Sequence, residues 1–223
     1  MKTLLAAFVL LSAALSFGQS PQIASFTVTD HQTTCTYVVG VTTTPCSIGS
    51  GMFLTISGSN FGTLPEGVSL CDCPFTTLRR WSDTEISSIV NSVAPLQSVS
   101  VELPTGAWSN AVPYTALAPI ITRIEVGTCI YQEGQSKRQC VVVPGAQITI
   151  RGKYFGPGIG QVGTCDCAGA TIDSWNPDWS FNPSPTDNTV VATAVTAICG
   201  SFITLQANTM WSNPVPYTTC GSN

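Results

Sequence analysis

Hydrophobic and polar residues alternate along this chain with a period of two, and the alternation comes in short bursts. Residues 23–28, 37–41, 52–56, 99–103, 121–126, 147–150, 189–195 and 202–206 are alternating or β-branched runs. Clusters of Gly, Pro and Asn separate them at short intervals. Each burst reads as a half-buried strand, and the short spacing predicts β-sandwich architecture. No stretch carries a 3.6-residue apolar period, so no helix is predicted.

The pattern also repeats. Cys35, Cys46, Cys71, Cys73 and Trp81 recur at Cys129, Cys140, Cys165, Cys167 and Trp175, each displaced by 94 residues. Trp108-Ser109-Asn110 recurs as Trp211-Ser212-Asn213, displaced by 103. Both units open alike, at Pro21 and at Pro119. The reading is therefore two tandem units, 19–117 and 118–223, joined end to end by a short link without a flexible Gly/Ser tract. The second unit departs from the first in two places. It carries an insertion after Trp175 that holds Trp179, Phe181 and three prolines, which reads as a loop. It also holds Cys199 and Cys220, where the first unit has Leu96 and Leu117.

Three segments carry a family resemblance. Residues 51–62 read Gly-x-x-Leu-Thr-Ile-x-Gly-x-x-Phe-Gly, and residues 145–156 repeat this with Ile for Leu. Trp81-Ser82-Asp83-Thr84-Glu85-Ile86 follows in the first unit; the second has Trp175 with Asp187-Asn188-Thr189-Val190. A Ser-Asn-x-Val-x-Tyr ending closes each unit, at 109–114 and 212–217. Together these resemble the IPT/TIG family of immunoglobulin-like domains over residues 21–219. The resemblance implies two immunoglobulin-like β-sandwiches. The Cys-Asp-Cys segments and the cysteine pair near each start depart from the family pattern. Within the motifs, Gly62 is expected to supply positive φ at a turn, Phe61 to plug one end of the sandwich, and Asn110 and Asn213 to bond local turn backbone.

The first residues belong to targeting rather than to the fold. Lys2 precedes an apolar run ending in small residues, which reads as a signal peptide over 1–18, cleaved between Ser16 and Ser20. The run is short for a membrane span, so no span is expected after cleavage. Without Lys2, seven basic residues face twelve acidic ones, a formal charge of −5. A mildly acidic chain without a basic stripe argues against nucleic acid or anionic membrane as partner. The expected location is secreted or extracellular, with periplasm or cell surface as variants. No Asn-x-Ser/Thr acceptor for N-glycosylation occurs.

Ten cysteines in a secreted chain read as disulfides. The simplest pairing closes the loops Cys35–Cys46 and Cys129–Cys140. A hairpin register placing Phe202 opposite Tyr217 sets Cys199 opposite Cys220. Cys71-Asp72-Cys73 and Cys165-Asp166-Cys167 stay open. Each pair forms a tight ring or reaches other strands, and a thiol or metal role remains as a third functional reading.

Catalytic patterns are sparse. His31 is the only histidine and has no copy in the second unit, and Glu85 and Glu102 have no acidic equivalents there. No nucleophile-elbow, zinc-protease or phosphate-loop motif occurs. The chain is read as a non-enzyme without cofactor or bound metal. Its aromatics are the better lead. Trp81 and Trp175 read as core, whereas Trp108, Trp211, Trp179 and Phe181 are candidate binding residues. The expected role is a secreted binding module that contacts extracellular or cell-surface proteins, with carbohydrate binding through the loop tryptophans as the alternative.

Overall fold

A computed structural model describes residues 19–30, 33–65, 67–70, 76–93, 98–136, 138–156, 160–164, 169–176, 188–195, 202–207 and 209–218. The described residues form strands and turns, with no helix among them. In the first half the strands are β1 (Gln22–Asp30), β2 (Thr33–Val38), β3 (Ser47–Ile48), β4 (Phe53–Ser59), β5 (Gly67–Leu70), β6 (Thr76–Trp81), β7 (Glu85–Val90), β8 (Ser98–Glu102), β9 (Val112–Pro113) and β10 (Thr115–Ala116). The second half adds β11 (Ile120–Val126), β12 (Cys129–Gln132), β13 (Gln147–Lys153), β14 (Gln161–Gly163), β15 (Ala170–Asn176), β16 (Asn188–Ala194), β17 (Phe202–Ala207), β18 (Met210–Trp211) and β19 (Val215–Pro216).

Each half builds one five-stranded antiparallel sheet, ordered β2-β1-β4-β7-β6 and β12-β11-β13-β16-β15. A smaller sheet, β5-β8-β9, completes the first half; β14, β18 and β19 gather around β17 in the second. A short parallel contact closes each half, β10 on β3 and Thr218 on Val141. Alternation decides which side chains face inward. Phe26, Leu54, Ile56 and Ile86 from the large sheet meet Val68, Val99, Val101 and Val112 from the small one. Ile124, Ile148, Ile150 and Val190 meet Val162, Ile203, Leu205 and Val215 in the second core. This is an all-β, sandwich-like fold with two cores. Burying each such side chain contributes about 1.5–3 kcal/mol.

Two disulfides fix the edges. Cys35 on β2 is bonded to Cys46, and Cys129 on β12 to Cys140, with Cα–Cα distances of 5.8 and 5.6 Å. Each ties an outer strand of the large sheet to the segment leading into the parallel contact. Cys71, Cys73, Cys165, Cys167, Cys199 and Cys220 lie outside the described residues, as do His31, Trp179 and Phe181.

Two expectations from the sequence need correction. The run 37–41 is not a strand: β2 ends at Val38, and residues 38–42 form a turn closed by Thr42 donating to the Val38 carbonyl. Gly40 at φ 77° allows that turn, so the β-branched valines around it project from a loop. The register of the last hairpin is also off by one. Phe202 pairs with Pro216, and Ile203 with Val215. Nearer the tip Gln206 pairs with Trp211, so one extra residue is accommodated between the two stretches. A one-residue slip exchanges faces, and accordingly Tyr217 is buried while Phe202 is 46% exposed.

Candidate functional site

Trp108 and Trp211 are exposed tryptophans at equivalent positions of the two halves. They are 40% and 45% exposed. Each begins a Trp-Ser-Asn triplet, and the next two residues anchor the backbone that carries the indole. Ser109 Oγ accepts from the Val101 amide and donates to the Asn110 carbonyl, both at 2.9 Å. Ser212 Oγ does the same between Leu205 and Asn213, again at 2.9 Å. The asparagines then reach across to the other sheet. Asn110 Oδ1 accepts from the Ile23 amide at 2.7 Å, and its Nδ2 donates to the Ile23 carbonyl at 3.0 Å. Asn213 makes the identical pair with Ile121, at 2.7 and 3.0 Å.

The sequence pointed to local turn chemistry for these asparagines; their partners lie 87 and 92 residues away. The reason is a β-bulge. Pairing of β1 with β4 shifts between Ile23 and Ser25, and that of β11 with β13 shifts between Ile121 and Arg123. The shift disturbs the ladder at the bulge, and the side-chain amide, with one donor and one acceptor, serves the backbone there as a neighbouring strand would.

Each indole has a polar neighbour across its hairpin. Trp108 stands opposite Glu102, and Trp211 opposite Gln206. Directly opposed residues place their Cβ atoms about 5 Å apart on one face. An apolar ring beside a carboxylate, or beside an amide, can stack on a ligand and bond its hydroxyl groups.

Trp81 and Trp175 are structural. Both pack against the cores, and their indole N–H groups donate to the carbonyls of Phe61 at 3.1 Å and Gly156 at 2.8 Å. Phe61 and Phe155 are fully buried beneath Gly58 and Gly152, where a Cβ would meet the phenylalanine ring at 2.6 and 2.7 Å. Tyr217 donates to the Thr164 carbonyl, just before the second Cys-Asp-Cys segment.

Several of the described acids have structural partners. Glu125 bridges Arg123 and Arg151, both at 3.0 Å. Asp83 accepts from the Gly62 amide, Asp173 from Thr193, and Asp30 from Tyr154. Burial, reinforced by the Asp30 carboxylate, pushes the Tyr154 phenol well above its usual range. Among the described residues no cluster of His, Cys, Asp and Glu is arranged to hold a metal ion. A groove of about 480 Å³ lies in the second half, lined by residues that include Glu125, Val126, Val141, Val143 and Thr149. It involves none of the tryptophans.

No protein-family model matches this sequence. No curated protein matches it either. Solved structures do align. One is SGBP-B from a complex xyloglucan utilization locus in Bacteroides uniformis, 16% identical over 90% of this chain and 49% of that one, with a TM-score of 0.32. Another is the surface glycan-binding protein PbSGBP-B from Prevotella bryantii, 12% identical over 90% of this chain and 42% of that one, with a TM-score of 0.36. A gamma-CGTase from alkalophilic Bacillus clarkii aligns at 14% identity over 85% of this chain and 28% of that one, with a TM-score of 0.28. The chain spans less than half the length of each.

Proposed function

We propose that this chain is a secreted, non-catalytic binding protein of two IPT/TIG-like units, 19–117 and 118–223, acting outside the cell or at its surface. Its ligand in this reading is a neutral glycan, stacked on Trp108 and Trp211. The observation that carries the reading is the pair of equivalent, half-exposed indoles, each held by a Ser-Asn tether and each beside a polar cross-strand partner. A platform fixed before the ligand arrives loses little entropy on binding. Glu102 beside Trp108 and the formal charge of −5 in the mature chain disfavour acidic sugars. A non-catalytic role is supported by the acids: those engaged in ion pairs and hydrogen bonds hold turns and strands together.

The test is isothermal titration against neutral oligosaccharides, with Trp108→Ala and Trp211→Ala variants. Truncating a buried aromatic anchor costs about 2 kcal/mol, close to a thirtyfold loss of affinity for each. No binding of any neutral glycan at millimolar protein, or binding unchanged in both variants, refutes the reading. A second reading, contact with an extracellular protein, draws on different residues. Val39 and Val41 project from the β2 turn, and Val41 is 75% exposed. A sugar-insensitive partner lost on Val41→Asp would favour it.

A further inference from the structure

The two halves touch through side chains that the repeat does not share. In each half, call the near end the one where the first long strand begins, and the far end the one bearing the disulfide. The near end of the second half carries Tyr154 and Met210. Neither belongs to the second core; both pack against the first. Tyr154 is 7% exposed, its ring lies over Gly49, and its hydroxyl donates to Asp30 Oδ2 at 3.0 Å across 124 residues. Gly49 and Asp30 both belong to the far end of the first half, one in the turn before β4 and the other at the tip of β1.

Comparing equivalent positions separates this contact from the shared fold. The first half has Asn60 where the second has Tyr154, and Ala107 where the second has Met210. Asn60 turns its amide to Gln19 and to the Ser20 carbonyl. Both Asn60 and Tyr154 adopt the left-handed conformation, at φ 61° and 63°. Asparagine tolerates that conformation and a bulky residue does not, so the fold of the turn itself gains nothing from tyrosine. The receiving side is equally specific. A Cβ on Gly49 would lie 2.5 to 3.0 Å from the Tyr154 ring atoms. The second half has Val143 at that position, 47% exposed. Its first hairpin turns at Gly127, four residues shorter than the first half's, and so lacks any counterpart of Asp30.

We infer that Tyr154, seated on Gly49 and bonded to Asp30, and Met210, packed against the first core, form a directional lock that fuses the two units into one rigid arm. The left-handed backbone at Tyr154 is offset by the contacts its side chain makes on the first half, not by anything within the turn. The lock sets the separation of the two indoles. Both stand at near ends, so they lie roughly one strand length apart, about 30 Å for the nine residues of β1. The inference does not depend on what the indoles bind.

The experiment breaks the lock from each side. Tyr154→Asn with Met210→Ala installs polar and small residues that hold the equivalent turns in the first half. Gly49→Val installs the residue the second half carries, and it fills the seat of the ring. The wild-type protein is expected to tumble as one body by ¹⁵N relaxation and to unfold in one thermal transition. Either variant is expected to show a rotational correlation time falling toward about half, since each unit holds about half the chain. Two thermal transitions should accompany it, with the disulfides and native amide shifts of both units retained. A correlation time unchanged in both variants overturns the inference. So does a wild-type chain that already tumbles as two bodies.

Discussion

Replacing Asn110 by alanine removes two hydrogen bonds, of 2.7 and 3.0 Å, from the amide and carbonyl of Ile23. Ile23 is buried, and the bulge between it and Ser25 disturbs its pairing with β4. The cost is therefore that of stranding a donor and an acceptor rather than that of two average bonds. Each stranded group costs about 1–3 kcal/mol, which gives about 2–6 kcal/mol in all. Asn110→Asp is the sharper variant. It keeps the acceptor for the Ile23 amide but turns a second oxygen toward the Ile23 carbonyl, so at neutral pH it should be at least as destabilising as alanine despite near-identical shape. Protonating the carboxylate restores a donor, and the aspartate variant should recover stability relative to alanine as pH falls below its carboxylate range. Guanidinium denaturation at fixed disulfide state measures both, with an unchanged slope reporting an unchanged unfolded state. Because the same tether holds Trp108, the alanine variant should also weaken ligand binding at that indole. A loss below about 0.5 kcal/mol for Asn110→Ala, within the range of an ordinary surface change, would refute the reasoning.

Three further outcomes follow from the geometry. Above about pH 10 the unfolded Tyr154 phenol ionises while the folded one holds its proton, so the folded state binds more protons and stability falls with rising pH, by at most about 1.4 kcal/mol per pH unit and less as solvent screens the site. Wild type minus Tyr154→Phe in pH-dependent denaturation isolates that slope, and a flat difference counts against it. Gly58→Ala places a methyl against the Gln22 carbonyl and 2.6 Å from Phe61, and should cost about 2–3 kcal/mol by thermal unfolding. Cys129→Ser with Cys140→Ser opens an 11-residue closure and should cost about 2–3 kcal/mol, with β12 losing hydrogen-exchange protection before β16 does.

The strands that alternate cleanly were legible in the sequence. Residues 23–28, 121–126 and 202–206 fall within β1, β11 and β17 because one face of each is buried and the other is not. β6 and β15 were not, since their exposed patterns lack an inward hydrophobic row. The run 37–41 misled because β-branched residues around Gly40 look like a strand when φ is unknown. The hairpin register was missed because a bulge leaves no mark in composition. At the candidate site the exposed tryptophans were visible as motif positions. The reach of Asn110 to Ile23 was not, because side-chain amides announce turns locally while their long-range partners depend on tertiary structure. Tyr154 escaped notice for a related reason: it fills a variable position of a matched motif, and only its place against the first core sets it apart.

The paired asparagines also set how the protein ages. Spontaneous deamidation proceeds when the backbone nitrogen of the following residue attacks the asparagine side chain, closing a succinimide and releasing ammonia. Asn213 is followed by Pro214, which has no N–H to lose, so that route is closed in the second half. Asn110 is followed by Ala111 and keeps the route. The chain thus carries one tether closed to this chemistry and one open to it whenever the strand start frays. Of the two tethers, the one beside Trp108 would be the first to fail by this route.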